Sequence, residues 1–457
     1  MTDDGAYLSE QVVPGADSPL VRMFLAFGWL LALYTFILVD IGSAIIPAPF
    51  FFIFGVALLA LNHRLLTNGH IQACVLILGV FVLSIVLSPS PLAGFGGRVM
   101  VFGMHLLCLI SGLGFALEIQ QWSDDKRRLF IRTLLWVFLI GVLLEVTTPF
   151  SAVSNAWRSL VYSPQRLYEY NVRDVMTMGG VRPKFFGNEP SYLAVMCAVL
   201  VYLSFINSRT GAEKYRVALA ALGFIVLLRS PISIIVLALV PLYFFYRDGI
   251  RLRGILSFSL VTSVVAWAWV SLSDEITIIL TGIFPRAAAL LGGNDSSFVE
   301  RFVLPGELLS QVIMHYPLFG VGLGGKELTM PLIVNTAAYW ITPEVQSMVT
   351  QGTGTGDGAS IFSIPINLGI IGTVLFVWAC AQLSRTLSRA PWIVILLPCL
   401  IVSAFASFSV QFWGYLFILI LFTPQPQPVL VNDEPVSQDD EFAEVAARQL
   451  PMNDAKP

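Results

Sequence analysis

Gln72-Ala-Cys-Val-Leu-Ile-Leu-Gly-Val-Phe-Val-Leu-Ser-Ile-Val-Leu-Ser88 contains no charged residue and no proline. Wound as an α-helix, a run of this kind covers most of a hydrocarbon core roughly 30 Å thick, which takes about 20 residues. Backbone polar groups find no water in lipid, so such a run must be helical. The same pattern recurs along nearly the whole chain. It predicts spans near 22–41, 44–61, 72–88, 99–118, 130–148, 190–206, 215–229, 231–246, 255–273 and 360–381. The apolar stretch 392–422 is too long for one ordinary span and reads as two short helices meeting near Ser407–Gln411. The fold class is therefore an all-α polytopic membrane protein of about 12 transmembrane helices, with eleven as the alternative count.

Composition agrees. Hydrophobic residues make up 56% of the 457 residues and charged residues 12%, against about 45–50% and about 25% in soluble domains. The placement of charge then orients the chain. With the N-terminus inside, the inner loops hold Arg64, Lys126, Arg127, Arg128, Arg132, Arg209, Lys214, Arg216, Arg247, Arg251, Arg253, Arg385 and Arg389. The short outer loops hold Arg98 and Arg229. Positive charge stays on the cytoplasmic side, so both ends of the membrane domain are expected there.

Three regions follow: a polar, acidic segment 1–21 that is not read as a cleavable signal peptide, a membrane domain 22–422, and a proline-rich acidic tail 423–457. The tail composition predicts a solvated, disordered segment. Cys74, Cys108, Cys197, Cys380 and Cys399 all fall within apolar runs at spacings that fit no metal site, and read as reduced core residues.

Two outer segments, near 149–189 and 274–358, are far longer than ordinary connections, and such loops are usually functional or disordered. The first carries Arg158, Arg166, Arg173, Arg182 and Lys184; the second carries Arg286, Arg301 and Lys326. Outer cations run against the orientation signal. Guanidinium groups bind phosphate through paired donors and stay charged, which points to an anionic substrate such as a lipid pyrophosphate. The plainer alternative pairs these arginines with Glu169, Asp174, Asp295 and Glu300.

The most specific segment is Arg182-Pro-Lys-Phe-Phe-Gly-Asn-Glu-Pro-Ser-Tyr-Leu-Ala194. Pro190 suits the first turn of a helix, with Asn188 or Glu189 as its cap. Glu189 is thus either a capping acid or a carboxylate placed to take a proton from an acceptor hydroxyl.

Glu189-Pro-Ser-Tyr-Leu-Ala194 opening a span resembles the O-antigen polymerase and ligase superfamily, in its exopolysaccharide-polymerase branch. Arg301 followed by Pro317-Leu-Phe-Gly-Val-Gly-Leu-Gly-Gly325 is similar to a segment of that family's large outer loop. Asn367-Leu-Gly-Ile-Ile-Gly372 resembles the start of the helix that follows the loop, and Arg229-Ser230 falls where the family has Ser-Arg. The likeness covers roughly residues 180–380. It implies glycosyl transfer from an undecaprenyl-pyrophosphate-linked glycan, with a flippase and a chain-length regulator as partners. On the matching positions, Arg182, Arg301 and Arg229 would hold the pyrophosphate, with Lys184 beside Arg182. Family ligases carry a histidine shortly before the Gly-Ile-Ile-Gly helix. Gly356-Asp-Gly-Ala-Ser-Ile-Phe-Ser-Ile-Pro-Ile366 has none, which favours polymerase over ligase and leaves the base open between Glu189 and Asp357.

Pyrophosphate is already a good leaving group, so fixed cations that stabilise its developing charge meet the main chemical demand. No cofactor or metal is expected, and no nucleic acid. Gly320, Gly322 and Gly325 match a G-x-G-x-x-G pattern, but no strand precedes them and a nucleotide site is set aside. His63, His70 and His105 read as structural, and His315 does not stand where the ligase histidine would. A glycan ligase remains the sister reading. A lipid-linked oligosaccharide flippase or other transporter is the alternative from another class, for which broken helices and mid-membrane ionisable groups are the expected marks.

Overall fold

The computed structural model describes residues 18–41, 44–89, 91–162, 174–175, 181–228, 230, 259, 263, 302–337, 360–388, 390–404 and 408–424. The acidic tail beyond 424, the expected spans 231–246 and 255–273 (save Ser259 and Ser263), and the site candidates Arg229, Arg301 and Asp357 lie outside the described residues.

The described elements are α1 (Pro19–Thr35), β1 (Leu38–Ile41), β2 (Ala44–Pro47), α2 (Pro49–Asn62), α3 (Asn68–Val86), α4 (Phe95–Gln120), α5 (Asp124–Thr147), α6 (Phe150–Val161), α7 (Pro190–Ile206), α8 (Gly211–Leu228), α9 (Leu304–His315), α10 (Lys326–Ala337), α11 (Ser360–Leu387), α12 (Trp392–Ser403) and α13 (Val410–Phe422). Helices α3, α4, α5 and α11 are long and apolar enough to cross a membrane, and α1, α2, α7, α12 and α13 are shorter apolar helices. Large apolar side chains such as Val75, Ile140 and Val374 point outward from α3, α5 and α11. That is the reverse of a water-facing helix surface and suits lipid.

Close packing is achieved with small residues. A Cβ at Gly114 of α4 would collide with the Gly55 carbonyl of α2, so the two backbones lie almost in contact. Trp29 donates to Ser111 Oγ at 2.9 Å, Ser111 donates to the Phe51 carbonyl at 2.7 Å, and Trp29 stacks on Phe115 at 4.0 Å. Cys108, Cys197, Cys380 and Cys399 are buried free thiols and Cys74 is half-buried, which agrees with the core reading.

The expected spans 22–41 and 44–61 are each shorter than read. Their facing ends, Leu38–Ile41 and Ala44–Pro47, form an antiparallel hairpin instead, with Val39 opposite Ile46. Ile and Val suit a strand as well as a helix, so periodicity did not separate the two. The expected loop 149–189 also contains a helix, α6. Val153, Trp157 and Leu160 form an exposed apolar stripe on it, while Ser154 and Arg158 are buried. A helix with that outward stripe fits the plane of a membrane interface.

Residues 392–422 do form two short helices, with the break in 404–409. At about 1.5 Å per residue each covers roughly 18–20 Å, too little to cross about 30 Å of hydrocarbon. Val394 near the start of α12 accepts from Tyr202 at 3.4 Å, and the Phe422 carbonyl at the end of α13 accepts from Asn207 at 2.8 Å. Both contacts lie at the C-terminal end of α7. The start of α13 lies at the level of His105, in the middle of α4: Phe408 packs on His105 at 4.7 Å and Trp413 donates to its Nδ1 at 2.8 Å. The pair goes in and comes back.

Candidate functional site

The bundle has two polar ends. At one, the C-terminal ends of α2 and α4 meet the N-terminus of α1. At the other, the C-terminal ends of α1 and α5 meet the Arg182–Glu189 segment. We call these the network end and the loop end.

At the loop end the backbone of Lys184-Phe185-Phe186-Gly187 makes a tight turn in which Phe185 and Phe186 have φ of 40° and 68°. Residues with a Cβ rarely adopt this left-handed region, and they hold it where surrounding contacts over-determine it. Those contacts are specific. Glu145, near the end of α5, accepts from the backbone nitrogens of both Lys184 and Phe185. Tyr34 of α1 donates to the Lys184 and Phe185 carbonyls, 2.7 and 2.8 Å away. Ser154 of α6 accepts from the Phe186 nitrogen at 3.0 Å, and the Gly187 nitrogen donates back to the Lys184 carbonyl at 2.8 Å. The other described non-glycine residues with positive φ, Phe36 and Ala48, flank the hairpin after α1. All such residues that the structure describes lie at this end.

The charged side chains gather on this turn. Arg182 meets Asp174 through Nε and Nη2 at 3.0 and 2.9 Å, with both side chains buried. The pairing with Asp174 that the sequence offered as the plainer alternative is therefore real, though buried and not solvated. Arg158 donates to the Asn188 carbonyl at 3.2 Å and to Asn155 Oδ1 at 3.0 Å. Lys184 is buried too. Desolvation first, and then the neighbouring Arg158, push its ammonium down to about 8, although Asp174 and Glu145 pull the other way. Arg158, Arg182 and Lys184 thus form one cationic cluster around the strained turn.

Helix α7 begins at Pro190, with Glu189 as its cap residue in extended conformation. The Glu189 side chain makes no capping bond to the helix nitrogens. Its Oε2 accepts from Ser191 Oγ at 2.8 Å instead, and the side chain is part exposed at the head of an almost wholly buried helix.

The other motifs come together elsewhere on the same end. The 317–325 segment lies against Asn367–Gly372: Val321 donates to the Ile366 carbonyl at 3.0 Å, and Ile370 and Ile371 donate to Pro317 and Leu318 at 2.8 and 3.0 Å. Gly320 and Gly369 have φ of 64° and 66°, and a Cβ on either would strike the backbone of the other segment. Gly369 also interrupts α11, dividing it into two helices at a kink. The glycine pattern set aside as a nucleotide site is a packing seam. Arg98, which the sequence placed in an outer loop, is fully buried at the start of α4 and bonds Glu327, Ser88 Oγ at 2.8 Å and the Ala93 carbonyl at 3.0 Å. It ties the 317–327 segment to α3 and α4. His315 is exposed and bonds within its own helix at 2.8 Å.

Sequence reasoning missed Glu145 and Tyr34. Glu145 had a visible signal: it is a carboxylate inside an expected span, where ionisable residues are costly and usually have a defined partner. Among the described residues, no group of three or more His, Cys, Asp or Glu side chains is placed to hold a metal ion. No protein-family model, curated protein or solved structure matches the chain.

Proposed function

We propose that this chain is a membrane glycosyltransferase that polymerises undecaprenyl-pyrophosphate-linked oligosaccharide repeats into an exopolysaccharide or O-antigen. In this reading it lies in a bacterial cytoplasmic membrane with about twelve inserted helical segments, and the loop end faces outward. The observation that carries the reading is the turn at 184–187. A backbone conformation of this cost is held by three side chains from other elements, Glu145, Tyr34 and Ser154, and gathers Arg158, Arg182 and Lys184 beside the part-exposed Glu189. Buried, fixed cations suit a pyrophosphate whose charge grows as it leaves.

The chemistry needs few parts. The acceptor hydroxyl oxygen bonds to the anomeric carbon as the bond from that carbon to the pyrophosphate oxygen breaks. Lipid pyrophosphate departs to the cationic cluster. The hydroxyl proton passes to a carboxylate, Glu189 or Asp357, with Ser191 orienting Glu189 through its hydrogen bond. Arg301 and Arg229 are assigned to the pyrophosphate by resemblance alone.

A flippase is the second reading, favoured by the interrupted α11 and the short pair α12–α13, since transporters build sites from broken helices. The two readings separate in cells producing the polymer. Glu189→Gln keeps the shape and removes the base, and should lower polymer yield about 100-fold or more, within the usual span of general-base effects. Single lipid-linked repeats should then accumulate on the outer face. Accumulation on the inner face would make the protein a flippase, and normal polymer would move the base to Asp357.

A further inference from the structure

Beneath the strained turn lies a cavity of about 330 Å³, at the small end of the roughly 300–1,000 Å³ of ligand pockets. It runs between α1, α5 and α7, and Phe185, Phe186 and Trp157 close its loop end. Its wall on α1 extends from Phe27 to Thr35, about 12 Å of helix. The lining is apolar nearly throughout. Four lining residues, Phe27, Leu31, Val137 and Trp157, are also more than 40% exposed, so the slot opens sideways on the apolar outer face of the bundle. Water would gain nothing there, because a water needs two or more polar partners.

The cationic cluster begins one residue away at two points. Trp157 lines the slot and Arg158 follows it; Phe185 lines the slot and Lys184 precedes it. An occupant must therefore be a hydrocarbon chain at one end and an anion at the other. We propose that this slot receives the head-proximal part of the polyprenyl chain of the lipid-linked substrate, entering from the bilayer between α1 and α5. This rests on the polymerase reading for the identity of the lipid. The same turn serves both parts: its backbone is held by Glu145 and Tyr34, its two phenyl rings roof the chain, and its lysine lies on the side of the head group.

The test uses the full-length protein in nanodiscs of neutral lipid and a polyprenyl phosphate carrying a diazirine near its head. Leu31→Trp and Val137→Trp, made separately, fill the slot from two helices without touching the charged cluster. Each should cut photolabelling at least tenfold, while Leu222→Trp on the exposed face of α8 leaves it unchanged. Membrane level and thermal stability confirm folding, and because the fillings are independent, one misfolded variant leaves the other decisive. Unchanged labelling in a folded, filled variant overturns the proposal. Labelling abolished by excess phosphatidylglycerol as readily as by polyprenyl phosphate also overturns it, making the slot an annular phospholipid site. Loss of labelling with polymer length intact upholds the slot and removes the polymerase reading.

Discussion

The two ends of the bundle use the same kinds of residue in opposite ways. At the network end, Glu118 accepts from Asn62 at 3.0 Å, from Trp122 at 3.0 Å and from Arg22 at 3.4 Å, and Gln121 donates to Asn62 at 2.6 Å. One carboxylate and one arginine there are surrounded by neutral partners, and none of these residues has a positive φ. At the loop end, Arg158, Arg182 and Lys184 gather with Asp174 and Glu145 around a turn whose two phenylalanines are held in a left-handed conformation. The network end ties helices together with satisfied bonds. The loop end keeps strain beside an uneven mix of charge, three cations to two carboxylates, which is where the proposed pyrophosphate site would lie.

Arg182→Lys should break this contrast most severely. Lysine keeps the charge but lacks the planar fork whose Nε and Nη2 donate to Asp174 Oδ1, and a lost buried charge-assisted contact costs about 2–4 kcal/mol, roughly 30- to 1000-fold in rate. Long polymer should disappear on a gel while the protein stays at normal level in the membrane. Wild-type chain length would remove Arg182 from the site.

Glu118→Ala should do the converse. Stranding Asn62 and Trp122 costs about 1–3 kcal/mol of stability. Thermal inactivation in detergent should come earlier, with polymer made per molecule unchanged. A loss of polymer per molecule would mean that the two ends are coupled.

The smallest expected effect belongs to Lys184. Burial places its titration at about 8, so it is charged below that pH and neutral above it. Anion binding by Lys184 therefore weakens as pH rises, and kcat/KM, which reports the free enzyme, should fall several-fold through about pH 8. Lys184→Arg stays charged and should flatten that limb. An identical profile in both would place Lys184 outside the anion site.

Apolar runs made α3, α4, α5 and α11 legible, because length and the absence of charge are all a bilayer asks of a helix. They concealed the hairpin, where Val39 and Ile46 pair as strands at the facing ends of what reads as two separate spans. Pro190 revealed the start of α7 and narrowed its cap to Asn188 or Glu189, since proline at the first turn is a local signal; the structure makes it Glu189. The partners of that segment were not local. Tyr34 lies 150 residues from the Lys184 carbonyl it binds, and Asp174 was one of several acids available to Arg182. The burial of Arg98 in the first turn of α4 was hidden for the same reason: its partner Glu327 is 229 residues away.

The pair α12–α13 has a bearing on how the chain threads into its membrane. A segment that enters and leaves by one face contributes zero to the number of crossings, however apolar it is. Counting hydrophobic segments along 392–422 therefore leaves parity unchanged, whether the stretch is scored as two spans or as none. A score of one span reverses the side on which Thr423 emerges. The residue that decides that side is Leu387 at the end of α11, whose carbonyl is held by Gln120 at 3.0 Å on the same face as Glu118.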